Sequence, residues 1–200
     1  METRNFTILI VSICIGLTVF WLTAYNVVRL GIDPIAYIEA NTSEVFLEGE
    51  SEDEQTVVII RGNIKEELRL SISDLKSDEY KQVTDDFDFK NSYGTEWTDE
   101  YTGTTLWSIL EEEGILESDA STFLFVGQDG YESPEPLSIE DIAKQHENDV
   151  ILAYKIEGER LSNDIGPVRS VIDRDVIEHL EPDHWNSQFA VKSVKYVEIQ

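Results

Sequence analysis

The sequence predicts an α+β domain carried behind one apolar N-terminal segment. Three observations predict it. Short β-rich runs recur between turn-forming residues from Thr56 onward, few helix signals interrupt them, and the first thirty residues contain a long uncharged stretch. Few helices among many sequence-distant strands is the α+β pattern. A chain of 200 residues accommodates one such domain and an appendage.

The appendage comes first. Phe6 to Val28 carries no charged side chain and is dominated by Ile, Leu, Val, Phe and Trp. At about 1.5 Å per residue it spans a hydrocarbon core of about 30 Å. It exceeds the apolar region of a secretory signal, about 7–15 residues, and it is apolar all round rather than along one stripe. Residues 1–30 are therefore expected to be an uncleaved transmembrane anchor. Arg4 and Arg29 flank its two ends and give no orientation by basic-residue asymmetry. The 13 basic and 40 acidic residues of 31–200 make an extracytoplasmic domain the expectation. Residues 31–55 read as an acidic linker, extended by like-charge repulsion and containing the sequon Asn41-Thr42-Ser43.

Residues 56–200 are expected to form the domain. Thr56 to Arg61 is a buried β-rich run. Leu68, Leu70 and Ile72 alternate as in a half-buried strand, and a short helix follows near Asp74-Leu75. Tyr80 to Phe89 and Thr95 to Tyr101 flank a hairpin turn at Asn91-Ser92-Tyr93-Gly94. Leu106, Ile109 and Leu110 have helical spacing, and Gly114 ends that helix as a C′ glycine. Phe123 to Val126 is a buried strand running into Gly127-Gln128-Asp129-Gly130. Ser138-Ile139-Glu140-Asp141 is a capping box for a helix to about Gln145. Val150 to Lys155 is a strand, Glu157-Gly158 a tight turn, and Val191 to Ile199 a terminal strand.

Charge narrows the partners. The chain carries a net charge of −26, and residues 31–150 alone hold 7 basic and 31 acidic side chains. That excludes nucleic acid and anionic lipid surfaces as expected partners. Residues 151–200 hold 6 basic and 9 acidic side chains, so a surface for a small anionic ligand must draw largely on them. The single cysteine, Cys14, lies inside the apolar segment, leaving no disulfide or cysteine-based zinc site for the domain. His146, His179 and His184 lack metal-ligand spacing, and Asp85-Asp86-Phe87-Asp88 lacks the ligand order of a calcium loop. No phosphate loop or Ser/His/Asp pattern is visible.

Candidate binding residues follow from rigidity and charge. Arg169 follows Gly166-Pro167, whose fixed φ makes a stiff turn suited to presenting a guanidinium to an oxyanion. Asp129-Gly130-Tyr131 forms a turn that displays a tyrosine. Lys192 and Lys195 stand at the last strand as further cations.

Five phrases in fixed order carry a resemblance: Tyr-Thr-Gly-Thr-Thr-Leu (101–106), Asp-Gly-Tyr (129–131), Ile-Leu-Ala-Tyr (151–154), Gly-Pro-Val-Arg (166–169) and Lys-Ser-Val-Lys-Tyr-Val-Glu-Ile (192–199). Together they resemble the molybdopterin-binding domain of the sulfite-oxidase family over roughly residues 55–200. The resemblance implies that α+β fold, a pyranopterin cofactor, and a pocket approached by Asp129, Tyr131, Arg169 and Lys195. It also implies a molybdenum-ligating cysteine ahead of the helix that starts near Thr104. The stretch from Phe87 to Trp97 contains none, and Ser92 stands near the expected position. The expected function is a non-catalytic binding or interaction module. Two alternatives stay open: a molybdopterin-dependent oxidoreductase acting on an oxyanion-type substrate, and an acidic surface protein that binds divalent cations.

Overall fold

The computed structural model describes residues 54–200; the expected anchor and nearly all of the acidic linker lie outside the described residues. Among the described residues no helix is long and apolar enough to cross a membrane.

Strand β1 (Thr56–Gly62) buries Val58, Ile59 and Ile60, and β2 (Leu68–Ser71) runs antiparallel to it. The expected strand through Ile72 is corrected here: it stops at Ser71. The Ser71 hydroxyl accepts the Asp74 N–H at 3.0 Å, and the Asp74 carboxylate accepts the Ser71 N–H at 2.8 Å. This reciprocal cap starts helix α1 (Ile72–Leu75). Strands β3 (Gln82–Lys90) and β4 (Glu96–Thr105) form the expected hairpin, whose turn is held by the Asn91 side chain accepting the Tyr93 and Thr95 N–H groups, each at 3.0 Å. Thr105 then caps α2 (Leu106–Glu113), and Gly114 ends it with φ 57°, a left-handed conformation that favours glycine.

Strand β5 (Thr122–Gly127) is buried, and β6 (Leu137–Ser138) pairs with its start. The expected helix after Ser138 is a π-helical turn, Ile139–Lys144. Its cap closes on one side: Ser138 accepts the Asp141 N–H at 3.0 Å, while the Asp141 carboxylate takes the Ser138 hydroxyl instead of the backbone. There follow β7 (Val150–Ile156), β8 (Glu159–Arg160), β9 (Arg169–Ile172) and α3 (Arg174–Leu180), which is capped by Asp173. The terminal strand β10 (Val194–Ile199) starts later than the expected Val191, because Ser193 has a φ of 46° and cannot continue a strand.

Two five-stranded sheets result. One has the order β2-β1-β10-β5-β6; the other runs β3-β4-β7-β8, with β9 also on β7. The main core joins Val58, Ile60, Phe123, Phe125 and Val197 of the first sheet to Leu152, Tyr154 and Ile172 of the second, with Leu106, Ile109 and Leu110 of α2. The alternate residues of β7, Ile151 and Ala153, point the other way, into a second core of Phe87, Phe89, Tyr101 and Val171. Two register breaks matter for the site. Val57 is the extra residue between the β1 pairs Thr56↔Ser71 and Val58↔Leu70, and Lys195 is the extra residue between Val194↔Gly127 and Tyr196↔Val126. Such bulges bend a strand and re-aim its side chains.

Candidate functional site

The turn at Gly166-Pro167 is drawn tightly onto the residue before β10. Gly166 has φ 85°, and a Cβ there would lie 2.0 Å from Ser193 Oγ. The Ser193 N–H donates to Ile165 O at 2.9 Å, and the Gln128 N–H to Ser193 O at 2.9 Å. These bonds fasten three separate loops together. Between them and the start of β1 opens a cavity of about 430 Å³ whose walls include Gln55, Gln128, Asn163 and Ser193 beside Gly166 and Pro167. A second cavity of about 200 Å³ is lined by Ile72, Lys76, Tyr154, Lys155, Arg160 and Pro167. The two share Ile72, Arg160 and Pro167, so they form one groove.

The electrostatics of this groove depart from those of the chain. Among the described residues, its lining includes Lys76, Lys155 and Arg160 and no Asp or Glu. Lys155 and Arg160 are direct partners across the β7–β8 ladder. Two cationic side chains thus stand next to each other at this end of the groove. Lys76 also lies over the Tyr154 ring, its ammonium 5.7 Å from the centroid. Burial pushes the Tyr154 phenol above its ordinary pKa, so it stays protonated and donates to Gln82 Oε1 at 2.7 Å. The groove thus offers cations at one end and neutral hydrogen-bonding side chains at the other. That arrangement suits an anionic group attached to a polar body.

Arg169 is placed elsewhere. Its Nη1 donates to the Tyr101 hydroxyl at 2.8 Å, and its guanidinium carbon is 5.7 Å from the ring centroids of both Phe89 and Tyr101. Its Nε is buried without a hydrogen-bond partner. Burial raises the Tyr101 pKa, and the Arg169 charge partly offsets that rise. Arg169 lines none of the three cavities described. The reason is strand alternation: Arg169 shares its face of β9 with Val171 of the second core, whereas Val168 and Ile172 enter the main core.

Asp129 and Tyr131 do come together, with Lys192, in a third cavity of about 200 Å³ also lined by Ser187 and Ala190. The Tyr131 N–H donates to Asp129 Oδ1 at 3.0 Å and its hydroxyl to Gln188 O at 2.9 Å, which holds the 48 % exposed ring across the loop after α3. Lys195 sits on the β10 bulge and lines none of the three cavities; Ser92 lies exposed in the β3–β4 turn. His184 pairs with Glu135 at 2.8 Å and His146 with Asp149 at 3.5 Å, and among the described residues no group of three His, Cys, Asp or Glu converges as metal ligands do. Sequence reasoning missed Lys76, Lys155, Arg160 and Asn163. A signal existed for two of them: a two-residue turn at Glu157-Gly158 necessarily pairs Lys155 with Arg160.

This geometry defines an α+β domain with a polar, cation-lined groove. The family model for the oxidoreductase molybdopterin binding domain matches residues 48–177, and the chain belongs to that family. Among solved structures, the sulfane dehydrogenase SoxCD from Paracoccus pantotrophus is similar in fold, with a TM-score of 0.56 and 19 % identity. The match covers 75 % of this chain but only 39 % of the SoxCD chain. No curated protein matches the sequence.

The family implies a molybdenum-bearing pterin, so the donor set must be tested against one. Molybdenum favours a soft thiolate ligand, and the only cysteine of the chain, Cys14, precedes the described domain. The groove residues fit an anionic organic group; the domain's side chains do not fit a thiolate-held metal.

Proposed function

We propose that this protein is a membrane-anchored, extracytoplasmic binding module that uses the molybdopterin-domain fold to hold a small anionic ligand without catalysing a redox reaction. The observation that carries this reading is the groove that gathers Lys76, Lys155 and Arg160, with no carboxylate among its described lining residues, in a chain of net charge −26. The cations bind the charge of the ligand. Gln55, Gln128, Asn163 and Ser193 supply neutral hydrogen-bonding groups for its body. The lack of any domain cysteine supports the non-catalytic part of the reading. The uncharged Phe6 to Val28 stretch supports the anchor.

Family membership favours a second reading, a molybdopterin-dependent oxidoreductase acting on an oxyanion-type substrate. One preparation separates the two. The full chain is expressed, its membranes are washed with carbonate, and the purified protein is assayed for molybdenum and pterin fluorescence. The proposal expects retention in the membrane and no molybdenum. Stoichiometric molybdenum establishes the second reading, and release by the wash removes the anchor.

A further inference from the structure

Strand β3 is the outer strand of its sheet, and its free edge is finished at one end only. The β3–β4 register runs from Gln82↔Thr104 to Lys90↔Glu96 without a break, so alternate residues turn their backbone groups to the same side. Asp88 and Lys90 point theirs away from β4. The Asp88 N–H donates to Asp173 Oδ2 at 3.0 Å, the Lys90 N–H donates to Asn186 Oδ1 at 2.9 Å, and Asp88 O accepts from Asn186 Nδ2 at 2.8 Å. Thr84 and Asp86 have the same parity, and their backbone groups point outward too. The Asp86 N–H is taken by Asp85 Oδ1 beside it at 2.9 Å. Among the described residues, the Thr84 N–H and the Thr84 and Asp86 carbonyls have no hydrogen-bond partner, and Thr84, Asp85 and Asp86 are exposed. We propose that the open edge of β3 at residues 82–86 is a docking site for an extended cationic peptide segment of a partner protein, which adds to the sheet as a further strand.

The backbone sets the mode of binding. An unpaired row of N–H and C=O groups on a strand edge is a template for another strand. The stretch 82–86 is about 16 Å long at about 3.3 Å per residue, which fits a segment of about five residues. Charge sets the partner. On the solvent face of the hairpin Asp86 stands directly opposite Glu100, whose N–H donates to Glu157 Oε1 at 3.0 Å. On the other face Asp85 lies near Asp149 and Asp173. The Asp149 carboxyl is held above its ordinary pKa by burial and by the negative charges of Asp173 and Asp85. The cations of this region are engaged elsewhere: Lys81 with Glu147, and Arg174 with Asp88 and Asp175. Among the described residues none pairs with Asp85, Asp86 or Glu100. An added strand with lysine or arginine at alternate positions supplies the missing positive charge at cross-strand distance. The same charges disfavour a second copy of this chain. Pairing two β3 edges would bring two Asp85-Asp86 pairs together, in chains that each carry a net charge of −26.

Calorimetry of the full chain in detergent micelles with the capped peptide Lys-Thr-Lys-Thr-Lys-Thr-Lys tests this. Two control peptides accompany it: the same sequence with every amide N-methylated, and one with glutamate in place of lysine. The first is expected to bind and both controls to fail, and amide hydrogen exchange at residues 82–86 is expected to slow when the first is bound. Thr84→Pro removes the outward N–H without touching a β3–β4 bond, a change that an edge strand tolerates. It is expected to weaken the peptide about tenfold, the effect of one hydrogen bond. Thr84→Ala, which removes only the hydroxyl that meets the Thr102 hydroxyl at 2.9 Å, is expected to bind as the unaltered chain does. If the N-methylated peptide binds as tightly as its parent, charge alone holds it and strand addition is overturned. Equal binding of the glutamate peptide overturns the cationic partner. A dimer of the unaltered chain that Thr84→Pro dissociates overturns the proposal in favour of a second copy. Should Thr84→Pro fail to fold, the N-methylated control and the exchange pattern decide the matter on the unaltered protein.

Discussion

Arg160 and Arg169 belong to the same C-terminal segment and are put to opposite uses. Arg160 ends a two-residue strand beside Lys155, exposed at a groove with no carboxylate among its described lining residues. Arg169 is drawn inward, bonded to the buried Tyr101 hydroxyl and stacked near Phe89. Proximity to the Gly166-Pro167 turn does not decide which of them meets a ligand. Strand parity does: on β9, Arg169 falls on the same face as Val171 and is committed to the second core. An arginine in an aromatic pocket stabilises the fold, and an arginine beside a lysine across a ladder presents positive charge at the groove.

The turn between the two arginines gives the largest expected effect. Gly166→Ala forces a side chain into φ 85° and against Ser193, whose Oγ and Cα would lie 2.0 and 2.5 Å from the new Cβ. The expected loss is roughly 2–4 kcal/mol, read as a fall in Tm of roughly 5–15 °C. An unchanged Tm would mean that the three loops are not clamped at this point. Next in size is Arg169→Ala. It removes a charged hydrogen bond and leaves the Tyr101 hydroxyl unpaired in a fully buried position, a loss of about 1.5–3 kcal/mol in urea unfolding. Arg160→Ala is expected to leave the unfolding midpoint within about 0.5 kcal/mol, and equal effects of the two changes would erase the contrast. Smaller than the effect of Arg169→Ala, and opposite in sign, is that of Ser193→Gly. Relief of the φ of 46° is expected to raise stability by roughly 1 kcal/mol, while removal of the groove hydroxyl weakens anion binding a few-fold. A variant that gains stability without losing affinity would show that the Ser193 side chain does not touch the ligand.

Much of the fold was legible because its signals are local. Gly114 ends α2, Asn91 builds the β3–β4 turn, and Phe123 to Val126 forms a buried strand, each through short-range turn chemistry or burial pattern. The family was legible from five ordered phrases, and the family model agrees with it. Boundaries shifted where a side chain outcompeted a pattern, as when the Ser71–Asp74 cap ended the Leu68–Leu70 alternation. The groove was legible only in outline. Gly166, Pro167 and Ser193 lay within the recognised phrases, but their convergence depends on long-range bonds such as Gln128 to Ser193. Lys76 enters the groove from α1, with no sequence relation to the phrases at all. Charge geography pointed to the C-terminal segment, which supplies Lys155 and Arg160 to the groove, and could not separate them from Arg169, because the distinguishing fact is which face of a strand each side chain leaves.

The central claim is that anion recognition resides in the groove and not at the buried arginine. Calorimetric titration of the full chain with pyrophosphate, for the unaltered protein, Arg160→Ala and Arg169→Ala, tests it most directly. The account predicts that Arg160→Ala weakens binding by about tenfold, equivalent to about 1.4 kcal/mol, while folded Arg169→Ala binds as the unaltered protein does. Loss of binding in Arg169→Ala with full retention in Arg160→Ala would contradict it.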